Sequence, residues 1–463
     1  MYSLTDAIII GITGRAGKTS VAYLTHEYLK SIGKKSILYS STKVDSPCSK
    51  LIDNGMFFTF SDEKQIAQIL KEAVAYEAEF IIIECWEQSI AEGVFDNIPF
   101  DLKVMTKLLS TSNGHIDGNT IYQNKLKFFK DEEDAKCLIN IVGHWDPKDC
   151  GIEQFIQEAN ISNLVLYDTT RQSFFSKILY NEVPDLENYT NSFNTLQLYE
   201  NIRKYISADM IKYSLGEYKE QINDLTLKIL IEDECVELYS KLITGYNAEN
   251  ITSVIAILNE IKMLDLDAFK NFISDPLLEI PGRMEAIDWR NRTIIIDKQT
   301  RAALLFAKNL GNNKSIKAVT CYPIVDNVYI EPFLSRHPEY NKLPKEQLGW
   351  TQIPKAVNEF ADYAYVTVGG LSSYSAEYLT DTLAQQLTVP YEKVLSREEA
   401  FKNALIDSDE GDIICIVGVG DDKFLVESYD NLVRHSERKL LDRVIDELEE
   451  IYLVEMTEET TEE

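Results

Sequence analysis

A glycine-rich segment close to the amino terminus carries residue types that bind phosphate. It runs from the apolar residues 8–10 through the loop Gly14-Arg15-Ala16-Gly17 into Lys18-Thr19-Ser20 and a helical pattern. Glycines let backbone N–H groups approach phosphate oxygens, and the positive end of the following helix favours an anion. In such a loop Lys18 reaches the terminal phosphates and a hydroxyl of Thr19 or Ser20 binds Mg²⁺. The strict pattern has glycine where Ile12 stands, so this is a shorter variant, and the alternative is an ordinary strand-to-helix turn.

Two further groups of polar residues follow apolar, strand-like runs. Glu84 ends the run 81–83. A carboxylate at a strand's carboxyl end, beside a phosphate loop, is placed to hold the magnesium of a nucleotide, whereas alone it is more often a solvated strand end. The second group contains His115, Asp117 and Lys125. From residue types alone, it is equally open whether this second group binds a ligand or simply lies on the surface.

The composition is that of a globular protein with a large negative charge. Its 463 residues suggest two or three domains, and 45% of them are hydrophobic. The formal net charge of −29 argues against nucleic acid or an anionic membrane as partner, because both attract basic surfaces. The seven cysteines lack metal-ligand spacing, and no apolar run approaches the ~18–20 residues that span a bilayer. We therefore expect a cytoplasmic protein.

Strand and helix patterns alternate along the first 150 residues. Strands are predicted at residues 7–11, 36–39, 80–84, 102–106 and 137–142, and helices at residues 19–31 and 64–76. Alternation of this kind indicates a parallel sheet covered by helices, with ligands at the carboxyl ends of the strands. Residues 151–240 show weaker periodicity, and only strands near 164–167 and 226–231 are predicted there.

A second alternating unit follows the proline-flanked segment 276–281. The whole pattern predicts an α/β protein, with a central P-loop-type, mostly parallel sheet domain and then a smaller Rossmann-like α/β domain. We place the first domain at residues 1–278 and the second at residues 279–453. Residues 454–463 are predicted to be an acidic disordered tail.

Several segments, in the right order, resemble the Mur ligase family. The opening Gly-Ile-Thr-Gly-Arg-Ala-Gly-Lys-Thr-Ser is similar to the family's Gly-x-x-Gly-Lys-Thr nucleotide loop, and the strand ending in Glu84 resembles the one with its magnesium-binding glutamate. The segment from Thr106 through Gly114-His115-Ile116-Asp117 to Tyr122 and Lys125 is similar to Thr-Asn…Asp-His-Leu-Asp…Tyr…Lys. Gly245-Tyr246-Asn247-Ala248-Glu249-Asn250 resembles Gly-x-Phe-Asn-x-x-Asn.

The most specific match lies at the start of the second unit. Pro281-Gly282-Arg283-Met284-Glu285 is similar to the hinge of the UDP-N-acetylmuramoyl-tripeptide synthetase branch, and a strand ending in Asp297 follows it, as in that branch. Compared with this branch, we expect the chain to lack the amino-terminal domain that binds the UDP-sugar. The resemblance therefore covers an ATP-binding domain and a carboxy-terminal domain.

The resemblance implies an ATP-dependent carboxylate–amine ligase of the ADP-forming type. In such enzymes a carboxylate is phosphorylated by ATP, an amine attacks the acyl phosphate, and an amide forms with release of ADP and phosphate. Its substrates would be a small-molecule or peptide carboxylate and an amine or amino acid, with ATP and Mg²⁺ as cofactors. A protein partner is left open.

The same resemblance assigns roles to individual residues. It implies Lys18 at the transferred phosphoryl group and Thr19, Glu84 and His115 as magnesium ligands. Lys125 matches the lysine that the family carbamylates, with Lys127 as the alternative. Nucleotide contacts are implied for Asn250 and, when the mobile carboxy-terminal domain closes, for Arg283 and Asp297. Arg283 is also expected to take part in catalysis, together with Lys18, His115 and Lys125.

Departures from the family pattern leave the nucleotide site largely intact and fall mainly in the substrate segments. Val368-Gly369-Gly370-Leu371-Ser372 and Gly418-Val419-Gly420 replace family segments, and we expect their glycines to leave room for the amine. The first hypothesis is therefore a divergent ligase acting on something other than the usual UDP-linked peptide. One alternative is a degenerate nucleotide-binding relative with a structural or regulatory role. Another is a P-loop ATPase that only hydrolyses ATP.

Overall fold

The computed structural model of the chain describes residues 7–41, 43–46, 63–108, 118–141, 152–169, 211–221, 224–232, 234–310, 314–322, 352–369, 375–420, 424–428 and 431–462. These residues divide into two compact units, one ending at Leu278 and one beginning at Glu279.

A large sheet forms the centre of the first unit. Its strands, among the described residues, are β1 (Ile8–Thr13), β2 (Ser36–Tyr39), β3 (Val44–Asp45), β4 (Phe80–Glu84), β5 (Leu102–Met105), β6 (Lys136–Asn140), β7 (Leu164–Asp168), β8 (Ile211–Glu220), β9 (Leu225–Ile231) and β10 (Glu234–Ser240). They lie in the order β10-β9-β8-β7-β6-β5-β1-β4-β2-β3. The seven neighbouring strands β8-β7-β6-β5-β1-β4-β2 are parallel to one another. At one edge β3 pairs antiparallel with β2, and at the other β9 and β10 continue the sheet antiparallel.

The helices of this unit connect and cover the parallel strands. They are α1 (Lys18–Ser31), α2 (Glu63–Tyr76), α3 (Glu87–Ala91), α4 (Gly118–Phe129), α5 (Ile152–Ala159), α6 (Gly245–Glu260) and α7 (Leu266–Ser274). The central strands β1 and β4 are mostly apolar and are buried along almost their whole length, as is typical of parallel strands covered by helices. β1 and β4 pair in parallel with Ile12 opposite Glu84, so the phosphate loop and this carboxylate emerge at the same edge of the sheet.

The second unit is a smaller α/β domain. Its described strands are β11 (Glu285–Trp289), β12 (Arg292–Asp297), β13 (Ile316–Thr320), β14 (Tyr363–Val366), β15 (Tyr391–Lys393), β16 (Ile413–Val417), β17 (Phe424–Ser428) and β18 (Asn431–Arg434). Six of them form a sheet in the order β11-β12-β16-β13-β14-β15, in which β11 alone is antiparallel, and β17 pairs with β18. The predicted fold class, a mostly parallel sheet domain followed by a smaller α/β domain, is confirmed.

The helices of the second unit correct one prediction. They are α8 (Thr300–Leu310), α9 (Gln352–Phe360), α10 (Ala376–Ala384), α11 (Arg397–Ile406) and α12 (Glu437–Glu462). Because α12 continues to Glu462, the prediction of a disordered tail over residues 454–463 is wrong for nearly all of it. The segment contains no glycine or proline and is rich in glutamate, a good helix former, so the helix continues despite its charge. No helix in the described part of the chain is long and apolar enough to cross a membrane.

Candidate functional site

Two glycines shape the loop between β1 and α1. Gly14 has φ +143° and Gly17 has φ +84°, conformations that residues with a side chain rarely adopt. A Cβ on Gly14 would lie 2.2 Å from Thr106 Oγ1, and a Cβ on Gly17 would lie 2.7 Å from Asn250 Oδ1. The loop backbone therefore runs directly against two polar side chains from other elements.

Hydrogen bonds from the end of β5 tether the loop. The Thr106 hydroxyl donates to Ala16 O at 2.6 Å, and Arg15 N donates to Lys107 O at 2.8 Å. On the other side Asn250, near the start of α6, is held by a hydrogen bond from its amide nitrogen to Asn247 Oδ1 at 3.1 Å. The hydrogen bonds from Thr106 and to Lys107 O hold the loop against the end of β5.

Lys18 is a buried cation folded back onto the loop. It is the first residue of α1, and its Nζ donates to Gly14 O at 2.7 Å. The same nitrogen lies 4.9 Å from the centroid of the Trp86 ring and 3.8 Å from Glu87 Oε2. An ammonium group at the end of a phosphate loop can neutralise a bound phosphate when it exchanges a hydrogen bond such as the one to Gly14 O for a phosphate oxygen.

Oxygen atoms suited to a small, hard cation converge beside Lys18. Thr19 Oγ1 donates to Glu84 Oε1 at 2.9 Å and lies 3.2 Å from Ser41 Oγ. Ser41 N donates to Glu84 Oε2 at 2.9 Å, so a fully buried carboxylate is aligned by two partners. A carboxylate and two hydroxyls are ligands that Mg²⁺ prefers, and this donor set fits the ion that the resemblance implies.

A buried carboxylate and a buried lysine complete the surroundings of Lys18. Lys125 Nζ lies 3.2 Å from Glu87 Oε1, and the Lys125 side chain has no solvent exposure. Burial lowers the pKa of Lys125 to about 8, although the Glu87 carboxylate opposes the shift. Burial alone would raise the pKa of Glu87, but the ammonium groups of Lys18 and Lys125 outweigh it and lower that pKa to about 2. Glu87 is therefore ionised throughout the physiological range.

The structure brings most of the predicted site residues together in the first unit. Gly14, Arg15, Ala16, Gly17, Lys18, Thr19 and Ser20 form the loop and the first turn of α1, with Glu84, Lys125 and Asn250 beside them. Burial lowers the pKa of the Arg15 guanidinium. His115 lies outside the described residues, so its predicted metal role stays a prediction.

Arg283 and Asp297 lie in the second unit, where Asp297 organises a turn. Its carboxylate accepts hydrogen bonds from Met284 N at 3.0 Å and from Gln299 N. Met284 has φ +49° and Gly282 has φ +66°, so the turn that carries Arg283 is held in an uncommon backbone conformation. The Arg283 side chain is half-buried.

A cluster with metal-ligand geometry elsewhere in the first unit is an ion-pair network. His26, Glu27 and Asp45 offer ligand atoms within 4.8 Å of one another. However, Lys30 Nζ lies 2.7 Å and Lys43 Nζ 3.1 Å from Asp45 Oδ2, so two ammonium groups already neutralise that carboxylate. Burial lowers the pKa of His26 and favours its neutral form. We assign this cluster to structure.

The glycines of the second unit do not open space for a substrate. A Cβ on Gly369 would lie 1.9 Å from Tyr322 O, and one on Gly418 would lie 2.8 Å from Cys321 Sγ. A Cβ on Gly420 would lie 2.9 Å from Lys298 Cβ. The prediction that these glycines leave room for the amine is wrong for the described ones, because protein atoms fill that space. Gly370 lies outside the described residues.

Two residues of the site, Ser41 and Glu87, were not predicted from the sequence, and Thr106 was named only as the start of a family segment, without a role of its own. Ser41 follows β2, whose carboxyl end reaches the loop, so the rule that ligands bind at these strand ends could have found it. Glu87 has a comparable signal, as an acid three residues after Glu84 at the same sheet edge.

Comparison with known proteins identifies the family. The description "Mur ligase middle domain" matches residues 12–258, more than half of the chain. The chain belongs to the Mur ligase family. The resemblance drawn from the motifs is thereby confirmed at the level of the family, and membership indicates an ATP-dependent ligase that forms amide bonds. Nothing in the comparisons favours a degenerate, non-enzymatic relative.

Named relatives of this Mur ligase are distant in sequence. A UDP-N-acetylmuramoyl-L-alanyl-D-glutamate–2,6-diaminopimelate ligase of Prochlorococcus marinus is 22% identical over 457 residues, which is 95% of this chain and 77% of the relative. A UDP-N-acetylmuramyl-tripeptide synthetase of Deinococcus radiodurans is 27% identical over 149 residues, 31% of this chain and 29% of the relative. The particular branch to which this Mur ligase belongs stays a prediction.

Solved structures support the fold. MurF from Acinetobacter baumannii has a TM-score of 0.58 at 9% identity, covering 96% of this chain and 77% of that one. E. coli FolC in complex with ADP has a TM-score of 0.57 at 14% identity, covering 98% and 91%. At such low identities the similarity concerns the fold and carries no residue roles.

Proposed function

We propose that this Mur ligase is ADP-forming, activating a carboxylate as an acyl phosphate and then joining it to an amine. One observation carries the proposal: Lys18, Thr19 and Glu84 converge at the edge of the sheet where the phosphate loop lies, in a chain of this family. The first unit therefore has the parts that phosphoryl transfer requires, which are an anion cradle, a buried cation and a carboxylate for a metal ion.

The loop would bind the phosphates of ATP. Its glycines expose backbone N–H groups, and α1 begins at Lys18 with its positive end towards the loop. Lys18 would exchange its hydrogen bond to Gly14 O for phosphate oxygens. Asn250, which lies against Gly17, would contact the nucleotide. In this proposal residues 1–278 are the ATP-binding domain.

Thr19 and Glu84 would hold Mg²⁺, with the Ser41 hydroxyl as a third oxygen donor. When bound, the ion neutralises phosphate charge and orients the phosphoryl group for transfer. The hydrogen bonds that Glu84 accepts from Thr19 and Ser41 keep its carboxylate aligned towards that position. His115 as a ligand of a second ion remains part of the proposal from sequence alone.

The second unit would contribute Arg283 and Asp297 to ATP binding. Asp297 accepts one backbone N–H from the turn around Arg283, that of Met284, and one from its own segment, that of Gln299, which supports a role in orienting that arginine. Residues 279–453 would then act as the carboxy-terminal domain of the ligase. An induced-fit step that brings Arg283 to the nucleotide is the function that the family resemblance implies for this turn.

The substrates would be a carboxylate, small or peptidic, and an amine or amino acid. The relatives are named for ligation of diaminopimelate to a UDP-linked peptide, and one for synthesis of a UDP-linked tripeptide. The family's amino-acid-reading segments are replaced in this chain around Gly369 and Gly418. We therefore propose an acceptor or amine different from those of the named relatives.

Calorimetry of MgATP and MgADP binding tests the nucleotide site. The wild-type protein is compared with Lys18→Ala and with Lys127→Ala, an exposed lysine whose ion pair with Asp96 lies outside the site. We expect binding by the wild type and by Lys127→Ala and its loss in Lys18→Ala. A Lys18→Ala protein that binds MgATP normally would remove the basis of the proposal. Binding by the wild type then justifies screening carboxylate and amine pairs for ADP release.

A further inference from the structure

A mostly buried ion pair joins two elements that contact the phosphate loop. Lys107 follows β5, and Glu249 lies 142 residues further along the chain, near the start of α6. Lys107 Nζ donates a hydrogen bond to Glu249 Oε2 at 3.2 Å, and each of the two side chains is only 14% exposed. We call these residues the Lys107–Glu249 pair. An exposed ion pair contributes little, but loss of one partner from a pair shielded from water leaves the other charge poorly compensated.

Each partner of the pair is connected to a different part of the loop. Lys107 O accepts a hydrogen bond from Arg15 N at 2.8 Å. Asn250 follows Glu249 in α6, and its Oδ1 would lie 2.7 Å from a Cβ on Gly17. The end of β5 therefore contacts the loop at one residue and the start of α6 contacts it at another. The Lys107–Glu249 pair closes the connection between these two elements.

A second link between β5 and α6 does not depend on these charges. The Tyr167 hydroxyl donates to Met105 O at 3.1 Å, and the Ser253 hydroxyl donates to the Tyr167 oxygen at 3.1 Å. All three residues are buried. Because Ser253 lies one turn beyond Glu249, this link would keep the body of α6 on the sheet if the ion pair were lost. The ion pair then determines the position of the first turns of α6, where Asn250 lies.

We propose that Lys107 and Glu249 are positioning residues, which fix the distance between the end of β5 and the first turns of α6 and thereby the shape of the phosphate loop. Neither side chain needs to contact the nucleotide in this role. The inference rests on the proposed function for the identity of the ligand, MgATP. The shape of the loop can be measured without any nucleotide, so the two proposals can fail separately.

Charge reversal at Glu249 distinguishes positioning from simple attraction of an anion. Glu249→Lys sets one ammonium group against another and adds positive charge near a site that would bind a polyanion. If the pair acted only through its charge, MgATP affinity would rise. Positioning predicts a loss of at least about tenfold for Glu249→Lys and for Lys107→Glu alike, because like charges shielded from water must move apart. Calorimetry measures the affinity, and a folded Glu249→Lys protein with normal or higher affinity would overturn the proposal.

A rescue variant and a matched control complete the series. The double exchange of Lys107→Glu with Glu249→Lys restores an ion pair and should bind MgATP more tightly than either single variant; losses that simply add would contradict the proposal. The control is Glu260→Lys, which breaks the 2.7 Å pair with Lys136 at the other end of α6, roughly 16 Å from Glu249. We expect it to bind MgATP like the wild type, even where urea unfolding shows lower stability. An equal loss of affinity there would mean that any damage to α6 weakens binding, and would also contradict the proposal.

Hydrogen exchange without nucleotide separates this inference from the proposed function. The Arg15 amide donates to Lys107 O, so its exchange rate reports on the contact between the loop and β5. We expect faster exchange over residues 14–17 when Lys107→Met is combined with Glu249→Gln, a double variant that leaves no unpaired charge and should fold even where the charge reversals do not. Loop exchange equal to that of the wild type would overturn the proposal. If the wild type binds no MgATP, the proposed function fails, while this measurement still decides on the positioning role.

Discussion

Replacing Gly14 by alanine should damage the phosphate loop through both backbone strain and a steric clash. The added Cβ would lie 2.2 Å from Thr106 Oγ1 and 2.8 Å from Lys107 N, and φ is +143°. Neither neighbour can move freely, because the Thr106 hydroxyl is bonded to Ala16 O and Lys107 N belongs to the backbone that follows β5. The loop or the end of β5 must therefore shift.

The expected loss of stability is the sum of the backbone strain and the steric clash. A residue forced into a glycine-only backbone region costs on the order of 1–3 kcal/mol, and overpacking a filled site costs roughly 1–3 kcal/mol more. Together they predict a loss of roughly 2–6 kcal/mol in the free energy of unfolding of the first unit. Gly33→Ala is a matched control, because Gly33 has φ +79° but no atom within 4 Å of its added Cβ. At Gly33 only the backbone strain lowers the stability, by about 1–2 kcal/mol.

Urea unfolding and MgATP calorimetry on the two variants are the measurements. Gly14→Ala should be the less stable protein and should lose at least about tenfold in MgATP affinity, equivalent to about 1.4 kcal/mol, whereas Gly33→Ala should bind normally. Adding Thr106→Ala removes the nearest clashing atom and should restore part of the stability, though not all, since Lys107 N remains. If Gly14→Ala matches Gly33→Ala in both measurements, the reasoning about the loop is refuted.

Three further changes probe the proposed metal ligand, the buried lysine and the turn of the second unit. Glu84→Gln should lower the Mg²⁺ affinity of the ATP complex at least about tenfold while metal-free ATP binding changes less; equal losses in a magnesium titration would make Glu84 purely structural. For Lys125, with a pKa of about 8 in the folded protein against 10.5 normally, the unfolded chain binds more protons between these values. The wild type should therefore gain about 3 kcal/mol of stability over Lys125→Met as pH rises from about 8 to about 10.5, and parallel pH curves of unfolding for the two proteins would disprove this. Asp297→Asn replaces one of the two hydrogen-bond-accepting oxygens by a donor and should destabilise the second unit by about 1–3 kcal/mol. An unchanged melting temperature would contradict this expectation.

The order of elements in the first unit could be predicted because its signals are local. The apolar runs of β1 and β4, the glycines between β1 and α1, and the helical period of α1 each depend on a few neighbouring residues. The predicted ends of these elements differ from the observed ones by at most two residues. The convergence of Lys18, Thr19 and Glu84 also followed, because parallel strands end at one edge of the sheet.

Features that depend on distant pairing could not be predicted in the same way. β8 extends the sheet in parallel and β9 and β10 continue it antiparallel. Of these three strands only β9 was predicted, since half-buried strands far from the centre give weak sequence patterns. The proximity of Glu87 to Lys125 joins residues from α3 and α4, and no spacing rule connects them. The continuation of α12 was missed because charge was weighed above helix propensity.

The position of β1 in the middle of its sheet determines when the proposed nucleotide site can first form during synthesis. β1 is made before its partners β4 and β5, which are not complete until Met105, and Asn250 is made long after both of them. Such pairings between distant parts of a chain form slowly and leave early apolar strands without partners. A ribosome-bound chain that ends before α6 should therefore have no ATP site, and the early strands β1 and β2 are the segments for which a chaperone would compete.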